Sequence, residues 1–293
     1  MMTKTLKFLA YLGLAAALGA PATALAAITY TYTGYGNVLC NSSGSSCASQ
    51  TQSGITATAS AWADSGSPGD VGNKLTQGNL YAYSGGLGVQ WVSSSTTEPL
   101  TVPQHSIDNC GSGGSYCTGA ASPQDAVLFS FNSAVTMTDF GIGWYSGDSD
   151  VTILAYTGSG IPNLTQDTYS LADGTGGNTV GLLNAGWSLI GNYDNAGQST
   201  QHNCGNVYGC VSTSVNSNVS SQYWLVAAYN GAVQGTADQN NDFFKICAIT
   251  VTPGQSQQPP PPGAPEPGTT ALLGITVPML AWSRRRRPKP VIA

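Results

Sequence analysis

Charge is what this chain has least of. Of its 293 residues only 8% are Asp, Glu, Lys or Arg, about a third of the usual share. The scarcity is uneven. Lys4 and Lys7 stand near the N-terminus, and Arg284, Arg285, Arg286, Arg287 and Lys289 near the C-terminus, so Lys74 and Lys245 are the only basic residues between. Thirteen acidic residues share that interior with the two lysines, a formal charge of −11 without one arginine. Such a surface has no electrostatic footprint for a phosphate backbone, which excludes nucleic acid and leaves cations as plausible ligands. Histidine is nearly as scarce, with only His105 and His202. No H-E-x-x-H, G-x-S-x-G or phosphate-binding glycine loop occurs. Glu98 is the only glutamate of the interior, so the paired carboxylates of a glycosidase would have to be aspartates. These gaps point away from catalysis and toward a protein that is not an enzyme.

Helical periodicity is missing as well: no interior stretch keeps a 3.6-residue apolar period for three turns. What is present is short alternating runs rich in β-branched and aromatic residues. They include "ITYTYT" from Ile28, "GITATASAWA" from Gly54, "NLYAYS", "LGVQWVS", "AVLFSF", "VTMTDFGIGWY", "VTILAYT", "WSLIGNY", "YWLVAAY" and "FFKICAITV". Gly, Asn, Asp and Ser clusters separate them, as turns require. About ten such strands in one domain predict an all-β, antiparallel β-sandwich of the jelly-roll type over residues 27–252.

The ends have a different character. Lys4 and Lys7 followed by "FLAYLGLAAALGA" and then "ALA" at residues 24–26 predict a signal peptide over residues 1–26, removed by signal peptidase. Residues 253–264, which include "GQSQQPPPPGA", form a proline-rich linker with polyproline II stiffness. Residues 265–293 begin "PEPGTTALLGITVPMLAWSRRRR". The sixteen uncharged residues 268–283 would make a helix of roughly 24 Å, short of a comfortable ~30 Å span. The arginines orient it with cations on the cytoplasmic side and the body exported.

Pro265, Glu266 and Pro267, an apolar helix, and then Arg284, Arg285, Arg286 and Arg287 resemble the PEP-CTERM sorting signal of Gram-negative bacteria that make extracellular polysaccharide. The resemblance implies an exosortase as partner, recognition of the Pro-Glu-Pro tripeptide, and only transient residence in the membrane. Pro278 inside the helix and the trailing "PKPVIA" depart from the usual pattern. The segments "YSGGLGV", "HSIDN", "DAVLFSF", "IGWYSGDSD" and "NDFFKI" are similar, in this order, to exosortase-dependent surface proteins, which implies a destination at the cell surface or in the biofilm matrix without naming an activity. The role expected there is structural or adhesive.

Six of the seven cysteines form close pairs around flexible segments: Cys40–Cys47, Cys110–Cys117 and Cys204–Cys210. In an exported chain they read as three local disulfides; zinc fits worse, because the gaps are long and no histidine sits at ligand spacing beside them. Cys247, in an alternating apolar run, is left as a buried free thiol. Asp148 and Asp150 in "GDSD" leave three readings, in order a solvated turn, a calcium site and a catalytic pair. Asp108, Asn109, Asp125 and Asp242 are further candidates for a structural calcium ion, which takes its oxygens from carboxylates and loop carbonyls. "DQNND" opens like an EF-hand, but Phe243 stands where that loop needs glycine. Tyr116 and Tyr208, inside two cysteine loops, are the candidate aromatic contacts for extracellular polysaccharide.

Overall fold

The computed structural model describes residues 25–34, 37–40, 49–64, 75–90, 106–109, 125–168, 180–198, 209–229 and 242–254. The chain divides into two compact units, Met1–Gly254 and Gln255–Ala293, and the described residues all belong to the first. Most of the signal-peptide stretch, the proline-rich linker from residue 255 and the sorting segment lie outside them. Among the described residues no helix is long and apolar enough to cross a membrane.

The described chain is all-β, with one 3₁₀ turn at Leu164–Gln166. Its strands are β1 (Ile28–Thr31), β2 (Asn37–Cys40), β3 (Ser49–Gln52), β4 (Ile55–Asp64), β5 (Leu75–Gln77), β6 (Asn79–Tyr83), β7 (Gly86–Gln90) and β8 (Ile107–Asp108). They continue as β9 (Asp125–Tyr145), β10 (Val151–Tyr156), β11 (Asp167–Thr168), β12 (Val180–Gly181), β13 (Trp187–Tyr193), β14 (Val211–Ser214), β15 (Ser221–Ala228) and β16 (Phe243–Pro253). Fourteen of them form one sheet with the central order β13-β10-β15-β9-β16-β7-β6-β2, while β11 and β12 pair separately. All-β and largely antiparallel, the architecture fits a sandwich.

The organising element is β9. "AVLFSF" and "VTMTDFGIGWY" read in the sequence as two strands; here they run on, with Asp125 at the start, as one strand of 21 residues. The join, Asn132-Ser133-Ala134, contains no glycine or proline to break it. Asn132 instead serves a neighbouring turn, accepting from the Thr56 amide at 3.0 Å and donating to the Gly54 carbonyl at 3.2 Å. At this join β9 changes partners. Its first part lies between β4 and β15, as in Phe129 facing Ala59 and Trp224. Its second part pairs with β16, from Val135↔Pro253 to Tyr145↔Phe244, and with β14. A strand that changes neighbours in this way lets a sheet turn over its own core.

That core takes Val127, Phe129 and Phe131 from the first part of β9, and Val135, Met137, Phe140 and Ile142 from the second. The alternation slips by one residue between Met137 and Phe140. The pairing with β16 slips at the same place, where Thr138 is the extra residue of a bulge. Trp224 is fully buried there and donates from Nε1 to the Val135 and Ser221 carbonyls. Burying each such side chain contributes roughly 1.5–3 kcal/mol.

The cysteine expectation needs one correction. Cys210 is bonded to Cys247, with S–S 1.97 Å and Cα–Cα 6.0 Å, so it does not pair with Cys204 and Cys247 is no free thiol. Strands set this partnership. Val211 of β14 and Ile246 of β16 both stand opposite Ile142 of β9, and Cys247 falls at a slip in the β9–β16 register. Gly143 leaves the room: a Cβ there would come within 2.8 Å of the Cys247 Cβ. The side chains of the Cys40–Cys47 and Cys110–Cys117 pairs, like Cys204, lie outside the described residues.

Candidate metal centre

Where β9, β10, β13, β15 and β16 end together, three carboxylates meet. The chain leaves β9 through Ser146 and Gly147, and Asp148 forms a bridge alongside Asp242, the residue just before β16. The Asp148 carbonyl accepts from the Phe243 amide at 3.1 Å, and the Phe243 carbonyl accepts from the Ser146 amide at 2.9 Å. This pins the Asp148–Asp150 segment to the start of β16. The turn after β13 closes the other side: the Ser149 carbonyl accepts from the Ala196 amide at 3.0 Å, and the Ser149 hydroxyl donates to the Ala196 carbonyl at 2.6 Å. Gly197 is needed there, since φ is 77° and a Cβ would lie 2.4 Å from the Ile142 Cβ.

One carboxylate oxygen from each of Asp148, Asp150 and Asp242 lies within 4.8 Å of the others. Asp150 and Asp242 are fully buried and Asp148 partly so. Backbone and amide donors hold them in place. Asp242 Oδ1 accepts from the Asp150 amide at 2.7 Å, and Oδ2 from Asn109 Nδ2. Asn109 Nδ2 also donates to the Tyr229 carbonyl at 3.1 Å, while its Oδ1 accepts from the Asp242 amide at 3.1 Å. Asp150 Oδ1 accepts from the Asn195 amide at 2.7 Å. Asp148 Oδ1 accepts from the Ser149 amide at 2.8 Å and from Gln198 Nε2 at 3.4 Å.

Burial and mutual repulsion disfavour charge on this group. Burial pushes the Asp242 carboxyl up to about 8, with Asp150 and Asp148 adding to the rise and the Asp150 amide and Asn109 opposing it. Burial pushes Asp150 up to about 6, with Asp148 and Asp194 adding and the Asn195 amide opposing. The only basic side chain among the described residues, Lys245, is committed elsewhere, with Nζ 3.7 Å from the Trp144 ring centroid. What the arrangement can do chemically is gather oxygen ligands for a cation.

Of the sequence candidates, Asp148, Asp150 and Asp242 come together, and Asn109 supports Asp242. The solvated-turn reading fails for Asp150, which is wholly buried. Asp108 and Asp125 are equally buried but add no oxygen to this group: Asp108 of β8 stands opposite Phe243 of β16, and Asp125 opens β9 opposite Ala63. Sequence reasoning missed Asn195, Gln198 and the exposed Asp194. "NYDNAG" carries a turn signal, but nothing in it says that the turn folds against residue 150. Tyr116 and Tyr208 lie outside the described residues. A separate groove lined by Tyr156, Tyr223 and Ser221 encloses about 260 Å³, below the range of most ligand pockets.

Fold and centre together define an all-β protein with an acidic, oxygen-only site at one end of its sheet. Scanned against protein-family models and searched against curated proteins, the chain matches none.

Proposed function

We propose that the protein is an exported surface or biofilm-matrix protein, a sandwich of the jelly-roll kind with a structural or adhesive role and no catalysis. Signal peptidase releases its N-terminus, and an exosortase processes its C-terminus. The observation that carries this reading is the order of parts in residues 265–287: Pro-Glu-Pro, a short uncharged segment and four arginines behind a proline-rich linker. The buried Cys210–Cys247 bond supports it independently, because such bonds belong to oxidising compartments outside the cytosol. The acidic centre favours a second reading, a calcium-stabilised module that binds extracellular polysaccharide.

The decisive measurement is the intact mass of the mature protein from cells with and without the exosortase. A mass ending near Pro267, or carrying a lipid or glycan adduct, is expected in normal cells. A mass that still includes Arg284 to Arg287 there would replace sorting by a plain membrane anchor.

A further inference from the structure

We propose that Asp148, Asp150 and Asp242 bind a single divalent cation of the calcium class. The carboxylate cluster alone would not carry this; the second observation is Asp150 Oδ2. It belongs to a fully buried residue, yet among the described residues it has no hydrogen-bond partner. Its sister oxygen is already taken by the Asn195 amide. A buried carboxylate oxygen left unsatisfied is costly. The Asn195 amide relieves the carboxyl only through the sister oxygen, and the nearby acids Asp148 and Asp194 make the cost larger. A cation among the three carboxylates satisfies Oδ2 and removes the repulsion in one step.

The geometry and the donor set select the ion. Two oxygens on one calcium ion stand at most about twice 2.3–2.6 Å apart, and these three lie within 4.8 Å of one another. All are hard oxygens, without the sulfur or imidazole that zinc or copper prefers. Magnesium commonly uses only one or two carboxylates and keeps its water, whereas calcium accepts several. The Asn109, Asn195 and Gln198 donors already fix the carboxylates from behind, which is how an outer shell orients metal ligands.

Such an ion would join segments 92 residues apart in sequence, Asp150 and Asp242. It would therefore act as a clamp on the end of the sheet, taking calcium from outside the cell. The assignment does not depend on how the C-terminus is processed, so each proposal can fail alone.

The test is calorimetric titration of the full, purified chain with calcium chloride and with magnesium chloride, after removal of metals with chelator at pH 7.5. One calcium ion per chain is expected, with Kd on the order of 10⁻³ M or tighter, as in extracellular modules, and magnesium at least about tenfold weaker. Asp148→Asn and Asp150→Asn should each weaken calcium at least about tenfold, the loss of one charged ligand. Asp139→Asn, a carboxylate bonded to Ser212 and Ser214 in another part of the sheet, should leave it unchanged. Asp148 is the less buried residue, so its variant decides the matter where Asp150→Asn does not fold. No calcium binding at about 10 mM, binding that both variants retain, or equal affinity for magnesium would each overturn the assignment.

Discussion

Two buried charged sites lie near the start of β16, and they are accommodated in opposite ways. Lys245 is 3% exposed and lies 3.7 Å from the Trp144 ring centroid and 5.0 Å from that of Tyr83. Ring faces carry negative charge, so a lone cation with an apolar stem can be covered by aromatic side chains. Three residues earlier in the chain, Asp242 faces Asp148 and Asp150. Backbone and asparagine amides satisfy part of that group, but no donor they supply cancels the repulsion between carboxylates. An isolated buried cation can be completed by rings; a buried acidic cluster needs protons or a metal.

The sharpest break in this comparison is its pH dependence, measured by denaturant unfolding in chelator. Asp242 is raised in the folded state from 3.8 to about 8 by burial first. Its contribution to stability is therefore present below about pH 4 and lost as pH rises toward 8. Lys245 is lowered from 10.5 to about 8, again by burial, so the folded state holds fewer protons than the unfolded chain between pH 8 and 10.5. Stability recovers as pH climbs through that window. Cation-free protein should thus be least stable near pH 8, by on the order of 3–5 kcal/mol relative to pH 4. Asp242→Asn should remove the part of the acid arm between about pH 6 and 8, leave the shallower part below about pH 6 that Asp150 supplies, and leave the alkaline arm. A profile that rises steadily from pH 4 to 8 would contradict the burial of unneutralised carboxylates.

Next in size is the covalent tie beside Lys245. Cys210 and Cys247 are 37 residues apart, and closing a loop of that length stabilises by roughly 2–4 kcal/mol. Cys247→Ser should lower stability by that amount while leaving calcium affinity unchanged. Peptide mapping without reduction should recover Cys210 joined to Cys247; recovery of Cys204 joined to Cys210 would refute the strand-set pairing.

The smallest effect belongs to the rings. A double-mutant cycle of Lys245→Met and Trp144→Leu should return a coupling of about 1–2 kcal/mol below pH 8, where the amine is charged. It should shrink above that pH. A coupling that ignores pH would mean that Trp144 packs on the lysine stem and not on its charge.

Much of the fold was legible because alternation is local. "ITATASAWA" reads as a half-buried strand, and Ile55, Ala57, Ala59, Ala61 and Ala63 are all buried in β4. The slip between Met137 and Phe140 was also visible in the letters, although only pairing with β16 identifies it as a bulge. The length of β9 was not legible, because what holds Asn132 is a turn near residue 55. The acids of the centre were all visible as candidates, but so were Asp108 and Asp125, and nothing in their spacing separates the residues that meet from those that do not.

The sequence by itself determined that the body is all-β, that basic charge is concentrated at the two ends of the chain, and that the C-terminus resembles a sorting signal. Each of these depends on composition or on neighbours a few residues apart. Only the tertiary structure decided that Cys210 chooses Cys247, that Asp150 is buried, and that Asp148, Asp150 and Asp242 converge. Those facts depend on strand register and on which loops share an end of the sheet, and a shift of one residue in either would turn the same side chains to the other face.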